Sequence, residues 1–190
     1  MTPEQKELFI KNSIKHFEAD DILIRGTYDH FDDSFRGCSI GCHAFDLGLA
    51  PHVNADDIHH RVASIYGYPT WLAHLQDSIF EGLPVGEHKQ WHVDFAKAMP
   101  IDADWQPILH KVHIAILCIA SKTAGSSKDI VQRVIELYER VLTDDVIKDE
   151  EWSVAMTAEA AAEGVGLSET AQAAVWQEIR DAVLEILGSC

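Results

Sequence analysis

The chain has 190 residues, enough for one domain, and 47% of them are hydrophobic, which is typical of a globular protein rather than a disordered one. Asp and Glu total 31 against 15 Lys and Arg, which gives a formal net charge of −16. This acidity argues against direct nucleic-acid binding, which needs a basic surface, and against an anionic membrane surface. The longest apolar run, Ile114 to Ala120, is too short to span a bilayer.

The cysteines bear on the compartment in which the protein works, and they are Cys38, Cys42, Cys118 and Cys190. We expect no secretory signal before them, because residues 1–17 are charged and amphipathic and lack an apolar core segment. Disulfides are rare in the reducing cytosol, whereas free thiols are usual there. The sequence therefore predicts reduced thiols and a cytoplasmic location.

The first predicted element is a helix whose start is marked in the sequence. Residues 2–5 have the pattern of a capping box, in which Thr2 and Gln5 satisfy each other's backbone, and Pro3 takes the first helical position. Apolar residues then follow at helical spacing, namely Phe9, Ile10, Ile14 and Phe17. The pattern predicts an amphipathic helix that ends near Asp20.

Residues 22–42 form the one strand-like region of the chain. Residues 22–24 are apolar and β-rich and lead into Gly26 and Tyr28, and after a polar stretch the segment from Phe35 to Cys42 is suited to a returning strand. Two strands alone are marginally stable in water. We therefore predict a small β-hairpin that packs on helices.

The middle of the chain has three stretches of helical pattern. The first begins near Asp56, and its apolar face consists of Ile58, Val62 and Ile65. Pro69 is expected to open the next helix and Gly82 to end it. A further short helix carries the apolar residues Trp91, Phe95 and Met99. We expect these faces to supply much of the core.

The second half completes the predicted fold. Asp102 or Asp104 can cap a helix whose last turns are apolar nearly all round, so we expect it to be the most buried helix. Ser127 and Ser168 are predicted to cap two more helices, and the Ala-rich residues 152–162 are predicted to be helical. The patterns together predict one all-α, bundle-like domain over residues 1–190, with about six to eight helices and the small hairpin.

The most unusual segment is residues 37–43, which read Gly-Cys-Ser-Ile-Gly-Cys-His. Its first five residues match the G-x-S-x-G pattern of a hydrolase nucleophile elbow, with Ser39 as the nucleophile. That motif needs a buried strand before the turn and a fold of alternating strands and helices. Neither is predicted here, so the pattern alone does not indicate a hydrolase.

The same segment offers a metal site. Cys38, Cys42 and His43 are donors of the kind that zinc or iron prefers, and a further ligand would come from His52, His59 or His60. The spacing of the two cysteines is not the usual two-residue knuckle spacing, and no second cysteine pair lies nearby. A metal site at Cys38, Cys42 and His43 is therefore one hypothesis.

Two further interpretations of Cys38 and Cys42 remain open. Buried cysteines behave as small hydrophobic residues, so both can serve tight packing of the segment against a helix. A redox or reactive thiol pair is the other possibility, and it requires a lowered thiolate pKa. Outside this segment, the helically spaced histidine pairs fit hydrogen-bonded or solvated side chains better than ligands, and these pairs are His88 with His92 and His110 with His113.

Two blocks of the sequence resemble a known group of proteins. One is the Gly-Cys-x-x-Gly-Cys block at residues 37–42, and the other runs from Pro69 to Pro84 as Pro-x-Trp-Leu-Ala-x-Leu-x-Asp-x-Ile-Phe-Glu-Gly-Leu-Pro. With these, roughly residues 22–120 are similar to a group of uncharacterised bacterial and phage-associated proteins. The resemblance implies no activity, cofactor or site.

Three function hypotheses follow from these observations. The first is a non-enzymatic binding protein whose acidic surface docks on a basic protein partner, since no catalytic constellation is evident and the charge is −16. The second is a metal- or thiol-dependent enzyme centred on Cys38, Cys42 and His43. The third is an apolar groove between helices that binds a small ligand.

Overall fold

The protein is described by a computed structural model, which covers residues 1–19, 23–27, 30–31, 35–49, 55–125, 128–143, 145, 147 and 168–190. Helices dominate these residues. They are α1 (Pro3–Glu18), α2 (Ser39–Asp46), α3 (Ala55–Tyr66), α4 (Thr70–Gly82), α5 (Glu87–Ala98), α6 (Trp105–Ser121), α7 (Lys128–Leu142) and α8 (Glu169–Gly188). One antiparallel hairpin joins β1 (His30–Phe31) to β2 (Phe35–Arg36). The predicted all-α fold with a small hairpin is confirmed.

The chain divides into two compact units. The first comprises Met1–Ala103 together with Cys190, and the second comprises Asp104–Ser189. The expectation of a single domain over residues 1–190 stays a prediction. Within the described parts of both units, no helix is long and apolar enough to cross a lipid bilayer.

Helix α1 begins as its sequence predicts. The Thr2 hydroxyl accepts the Gln5 backbone N–H at 3.2 Å, while the Gln5 side-chain oxygen accepts the Thr2 N–H at 2.7 Å. This reciprocal cap satisfies two donors that a helix start leaves without intrahelical partners. The buried face of α1 then carries Phe9, Ser13 and His16, which are spaced by four and three residues. Two of these three buried side chains are polar.

The predicted hairpin over residues 22–42 is wrong in its extent. The second strand ends at Arg36, and only an isolated bridge joins Leu23 to Gly37. From Ser39 the chain is helical, because Cys38 takes an extended conformation and its sulfur accepts the Gly41 N–H at 3.5 Å, as an N-cap residue does. Sulfur in place of the usual hydroxyl is why the cap was not evident.

The first unit is built around α1, α4 and α5. Helix α1 packs against α5, α3 packs against α4, and α2 contacts α1, α3 and α4. Pro69 opens α4 as predicted, and Trp91 and Phe95 of α5 and Met99, which follows its last residue, are fully buried. Ile65 was expected in the core but is exposed, because Tyr66 and Tyr68 take the buried positions at the end of α3.

The second unit is less buried than the sequence suggests. Helix α6 packs against α7 and α8, and Leu117 of α6 joins a cluster with Val131, Val134 and Ile135 of α7. The expectation that α6 is the most buried helix is wrong, since only Ile108, Val112, Leu117 and Ile119 of its seventeen residues are buried. Ser168 caps α8 as predicted. The predicted cap at Ser127 and the helix at 152–162 lie outside the described residues.

Candidate metal centre

Three buried histidines from three helices meet in the first unit. His16 lies in the last turn of α1, His43 in the middle of α2 and His92 in the middle of α5, and their exposed fractions are 1%, 0% and 0%. One ring nitrogen from each lies within 4.8 Å of those from the other two. We call this group the histidine cluster.

The rings face one another at close range. His16 Nδ1 lies 3.2 Å from His92 Nε2. The rings of His43 and His92 are stacked, with centroids 4.6 Å apart, and those of His16 and His43 are 5.7 Å apart in an edge-on arrangement. The three imidazoles are therefore in close mutual contact.

Each ring turns its other nitrogen toward a side-chain oxygen. His16 Nε2 lies 3.0 Å from Asp46 Oδ2, His43 Nδ1 lies 3.3 Å from the Tyr66 hydroxyl, and His92 Nδ1 lies 2.8 Å from Ser39 Oγ. The Asp46 contact is not a well-directed hydrogen bond, because Oδ2 is a buried oxygen without an aligned donor. These oxygens fix the ring orientations, as oxygen partners of metal-binding histidines do.

Among the described residues, one nitrogen of the cluster has no hydrogen-bond partner. His43 is completely buried, yet its Nε2 atom forms no hydrogen bond. An unsatisfied polar atom in such a place costs about 1–3 kcal/mol. Burial, together with the neighbouring imidazoles, lowers the pKa of His43 and of His92 well below the usual value, so both rings are neutral. Neutral imidazole is the form that binds metal.

A buried hydrogen-bond network supports the cluster from α4. The side-chain amide of Gln76 donates to Ser39 Oγ at 2.6 Å, and its oxygen accepts the Tyr68 hydroxyl at 2.9 Å. The backbone oxygen of Gln76 accepts the Trp91 indole N–H at 3.0 Å. These bonds hold Ser39 against His92.

Asp46 connects the cluster to the protein surface. Lys15 Nζ, which is largely exposed, donates to Asp46 Oδ1 at 2.6 Å, while the Asp46 side chain is only 7% exposed. Burial acts to raise the pKa of Asp46, but the contacts with His16 and Lys15 outweigh it, and the net pKa is lowered. Asp46 is therefore a carboxylate anion beside His16.

The structure separates the ligands that the sequence suggested. His43 belongs to the histidine cluster, whereas the Cys42 thiol donates to the Gly37 carbonyl at 3.4 Å and Cys38 caps α2. Burial raises the pKa of both thiols, with Asp77 adding to the effect at Cys38. A metal site made of Cys38, Cys42 and His43 together stays a prediction, and the described ligand groups do not combine these three.

The additional histidines that the sequence offered to that site lie elsewhere. His59 Nε2 lies 3.3 Å from Asp77, and the exposed His60 lies 3.1 Å from the Thr70 hydroxyl. His52 lies outside the described residues. No motif in the sequence indicates His16, and helical spacing pairs His92 with His88, which contacts the Pro84 carbonyl instead.

A second group of possible ligands lines a small cavity. Cys38, Asp77 and Glu81 approach one another around a cavity of about 290 Å³, which Gly26 and Thr27 also line. Both carboxylate oxygens of Glu81 accept the Gly26 N–H, at 3.0 and 2.9 Å. Burial is the main cause that raises the pKa of Glu81, and the charge of Asp77 adds to it. The cavity is therefore acidic.

The segment with the G-x-S-x-G pattern serves the histidine cluster. Ser39 Oγ lies 2.8 Å from His92, a distance suited to a nucleophile and its base. However, Ser39 is 0% exposed and its oxygen already accepts the Gln76 amide, so no position is open for a substrate carbonyl. Ser39 is a hydrogen-bond partner that orients His92.

No protein-family model matches this chain, and no curated protein or solved structure is significantly similar to it. The resemblance of residues 22–120 to bacterial and phage-associated proteins therefore stays a prediction.

Proposed function

We propose that this protein binds a transition-metal dication, with zinc as the best match, through His16, His43 and His92. The observation that carries the proposal is the arrangement of the rings: one nitrogen of each lies within 4.8 Å of those of the other two, while the other nitrogen faces an oxygen. The ligand atoms are then His16 Nδ1, His43 Nε2 and His92 Nε2. Asp46, Tyr66 and Ser39 hold the outer nitrogens.

One nitrogen-to-nitrogen distance in the cluster fits zinc. Zinc binds imidazole nitrogen at about 2.0–2.1 Å, so two nitrogens on a tetrahedral ion lie about 3.4 Å apart. The distance between His16 Nδ1 and His92 Nε2 is 3.2 Å. Imidazole also suits iron, copper and nickel, and the selection among these depends on geometry and availability.

A purely structural hydrogen-bond network is the competing explanation. In this explanation, a series of hydrogen bonds has one proton in each contact. It runs from Asp46 through His16, His92 and Ser39 to Gln76. Such a series gives His43 Nε2 no partner. A metal ion accounts for that nitrogen as well, which is why we favour it.

Metal analysis of the purified protein tests the proposal with one discriminating variant. His43→Asn keeps a polar atom near the position of Nδ1, within reach of Tyr66, but removes Nε2. We expect untagged wild-type protein to bind one equivalent of zinc, measured by elemental analysis and by titration, and His43→Asn to bind none. The control is His60→Asn, which replaces an exposed histidine outside the cluster.

Two outcomes would refute the metal centre. One is wild-type protein that takes up no zinc, iron, copper or nickel under reducing conditions. The other is a folded His43→Asn protein, judged by circular dichroism, that binds the ion as well as the His60→Asn control. The second result would direct attention to the cavity at Cys38, Asp77 and Glu81.

An acidic interaction protein is a second proposal, supported by the net charge of −16. It predicts a complex with a basic protein that weakens as salt screens the charges. Thiol-dependent catalysis has less support, because burial raises the pKa of Cys38 and Cys42 and the thiolate seldom forms. We also propose that the protein works in a reducing, cytoplasmic location, because its four cysteines are free thiols.

A further inference from the structure

The position of Asp46 opposes a carboxylate charge in two ways, although its contacts with His16 and Lys15 still lower its pKa. It is the last residue of α2, where the helix dipole places partial negative charge, and its side chain is only 7% exposed. A buried carboxylate without full compensation destabilises a fold. Lys15 supplies one cation, but its side chain is 59% exposed, so solvent screens the pair and leaves it weak.

The second contact of Asp46 points to the reason for this placement. Asp46 Oδ2 lies 3.0 Å from the outer nitrogen of His16 and has no well-directed donor. An imidazole that ligates a metal ion contributes no negative charge, so three such ligands would leave the full charge of a bound ion uncompensated in a buried site. A carboxylate that contacts the outer nitrogen of a ligand imidazole supplies negative charge close to the ion, and it makes the ligand nitrogen more basic.

We propose that Asp46 is a positioning and specificity-determining residue that makes the histidine cluster select a divalent over a monovalent ion. This inference rests on the proposed metal centre. The attraction between Asp46 and the ion is proportional to the ion's charge, so the carboxylate favours Zn²⁺ about twice as strongly, in free energy, as Cu⁺. Lys15 opposes this effect from the far side of the carboxylate.

Competition titrations on the full-length protein measure the effect for both ions. Chromophoric chelators give the dissociation constants of Zn²⁺ and of Cu⁺ for wild type, Asp46→Asn and Lys15→Met. We expect Asp46→Asn to weaken Zn²⁺ binding by roughly 10- to 100-fold, the usual effect of losing an outer partner. Because the interaction scales with charge, Cu⁺ binding should weaken by only the square root of that factor, roughly 3- to 10-fold.

Lys15→Met supplies an independent arm with the opposite sign. The change lies on the surface and leaves Asp46 in place, so the fold should persist even if Asp46→Asn does not fold. Removing the lysine charge should tighten Zn²⁺ more than Cu⁺, by roughly two- to five-fold for Zn²⁺ because the exposed charge is screened. A merely structural role for the Lys15–Asp46 pair would instead weaken both ions in both variants.

The results separate this inference from the metal centre on which it rests. Wild-type protein that binds neither ion overturns both. Wild-type protein that binds Zn²⁺ while Asp46→Asn loses equal factors for Zn²⁺ and Cu⁺, or loses nothing, overturns the role of Asp46 alone. Lys15→Met that weakens Zn²⁺, or leaves the preference between the ions unchanged, does the same. Opposite shifts of that preference in the two variants support the inference.

Discussion

Gln76 is the residue on which the support of the histidine cluster depends most. It is fully buried, and its side chain makes two hydrogen bonds, to Ser39 and from Tyr68. A buried amide supports its neighbours only while both of its hydrogen-bond partners are present. A buried polar group that loses its partner still carries the free-energy cost of its removal from water. Gln76 thus joins α4 to the start of α2 and, through Ser39, to His92.

Replacing Gln76 by Met should therefore destabilise the metal-free protein well beyond the loss of one hydrogen bond. We expect the free energy of unfolding to fall by about 2–4 kcal/mol, since Tyr68 and Ser39 both lose a partner. Denaturant unfolding measures it, with the exposed Gln90→Met as a control that should stay within about 0.5 kcal/mol.

A double-mutant cycle attributes that loss to the hydrogen bonds. Adding Tyr68→Phe to Gln76→Met removes the hydroxyl that Gln76→Met leaves unsatisfied, so the combined loss should be smaller than the sum of the single losses by about 1 kcal/mol. Simple additivity would contradict this account and would indicate that packing volume alone matters at position 76.

For individual residues, the sequence could indicate some members of the histidine cluster, but not which three histidines come together. His16 follows Phe9 and Ser13 at helical spacing on the buried face of α1, which marks a buried polar side chain in hindsight. His43 was identified from its cysteine neighbours, although its partners come from α1 and α5. Contacts between residues 76 positions apart, such as His16 with His92, leave no local pattern in the sequence.

At the scale of elements, two helices end in the same way and differ in one contact. Gly67 follows α3 with φ +78°, and Gly48 lies just beyond α2 with φ +68°. Both are left-handed positions that favour glycine. A Cβ on Gly48 would meet nothing within 4 Å, whereas one on Gly67 would lie 2.5 Å from the side-chain oxygen of Gln5. Gln5 both caps α1 and donates to the Ile65 carbonyl at 2.8 Å.

This difference makes the two glycines a matched pair for mutation. We expect Gly48→Ala to cost about 1–2 kcal/mol, the price of a left-handed conformation with a Cβ. Gly67→Ala should cost about 1 kcal/mol more, because Gln5 must move and its hydrogen bonds to the Thr2 N–H and to the Ile65 carbonyl are lost. Equal losses in thermal or denaturant unfolding would show that the Gln5 contact contributes nothing.

Helix starts were predicted correctly where the residue at the start is one that commonly begins a helix. Thr2, Pro69 and Ser168 are ordinary helix-start residues, and α1, α4 and α8 begin where these residues predict. The pattern predicts a strand that continues to Cys42, whereas α2 already begins at Ser39. The sequence does not reveal this start, because the cap is a thiol and because Ser39 to Ala44 are all buried. A run of consecutive buried residues shows no alternation of polar and apolar residues by which its period can be recognised.

For the whole molecule, the sequence offered no boundary between the two compact units. No proline-, glycine- or serine-rich linker precedes Asp104, so a single domain was the natural expectation. The apolar character of α6 likewise suggested a central helix, yet most of α6 is only partly buried. Hydrophobic residues are expected inside, but apolar surface is common outside, so composition alone does not place a helix.

Metal binding distinguishes one cooperative domain from two units. All three proposed ligands lie in Met1–Ala103, so zinc should stabilise that unit directly. At a free zinc concentration of about 100 times the dissociation constant, the free energy of unfolding rises by about 2.7 kcal/mol. Amide hydrogens that exchange only when this unit unfolds should then exchange about 100-fold more slowly. Hydrogen exchange read by mass spectrometry should show this slowing in α1, α2 and α5.

The second unit then reports whether the chain unfolds as one domain. If the units unfold independently, exchange in α6, α7 and α8 should be the same with zinc and with a chelator, because no proposed ligand lies in Asp104–Ser189. Equal slowing in both units would instead support the single domain over residues 1–190. The His43→Asn protein is the control, because it lacks the ligand and should show no zinc-dependent slowing anywhere. Slowing in that variant would mean that zinc acts at another site.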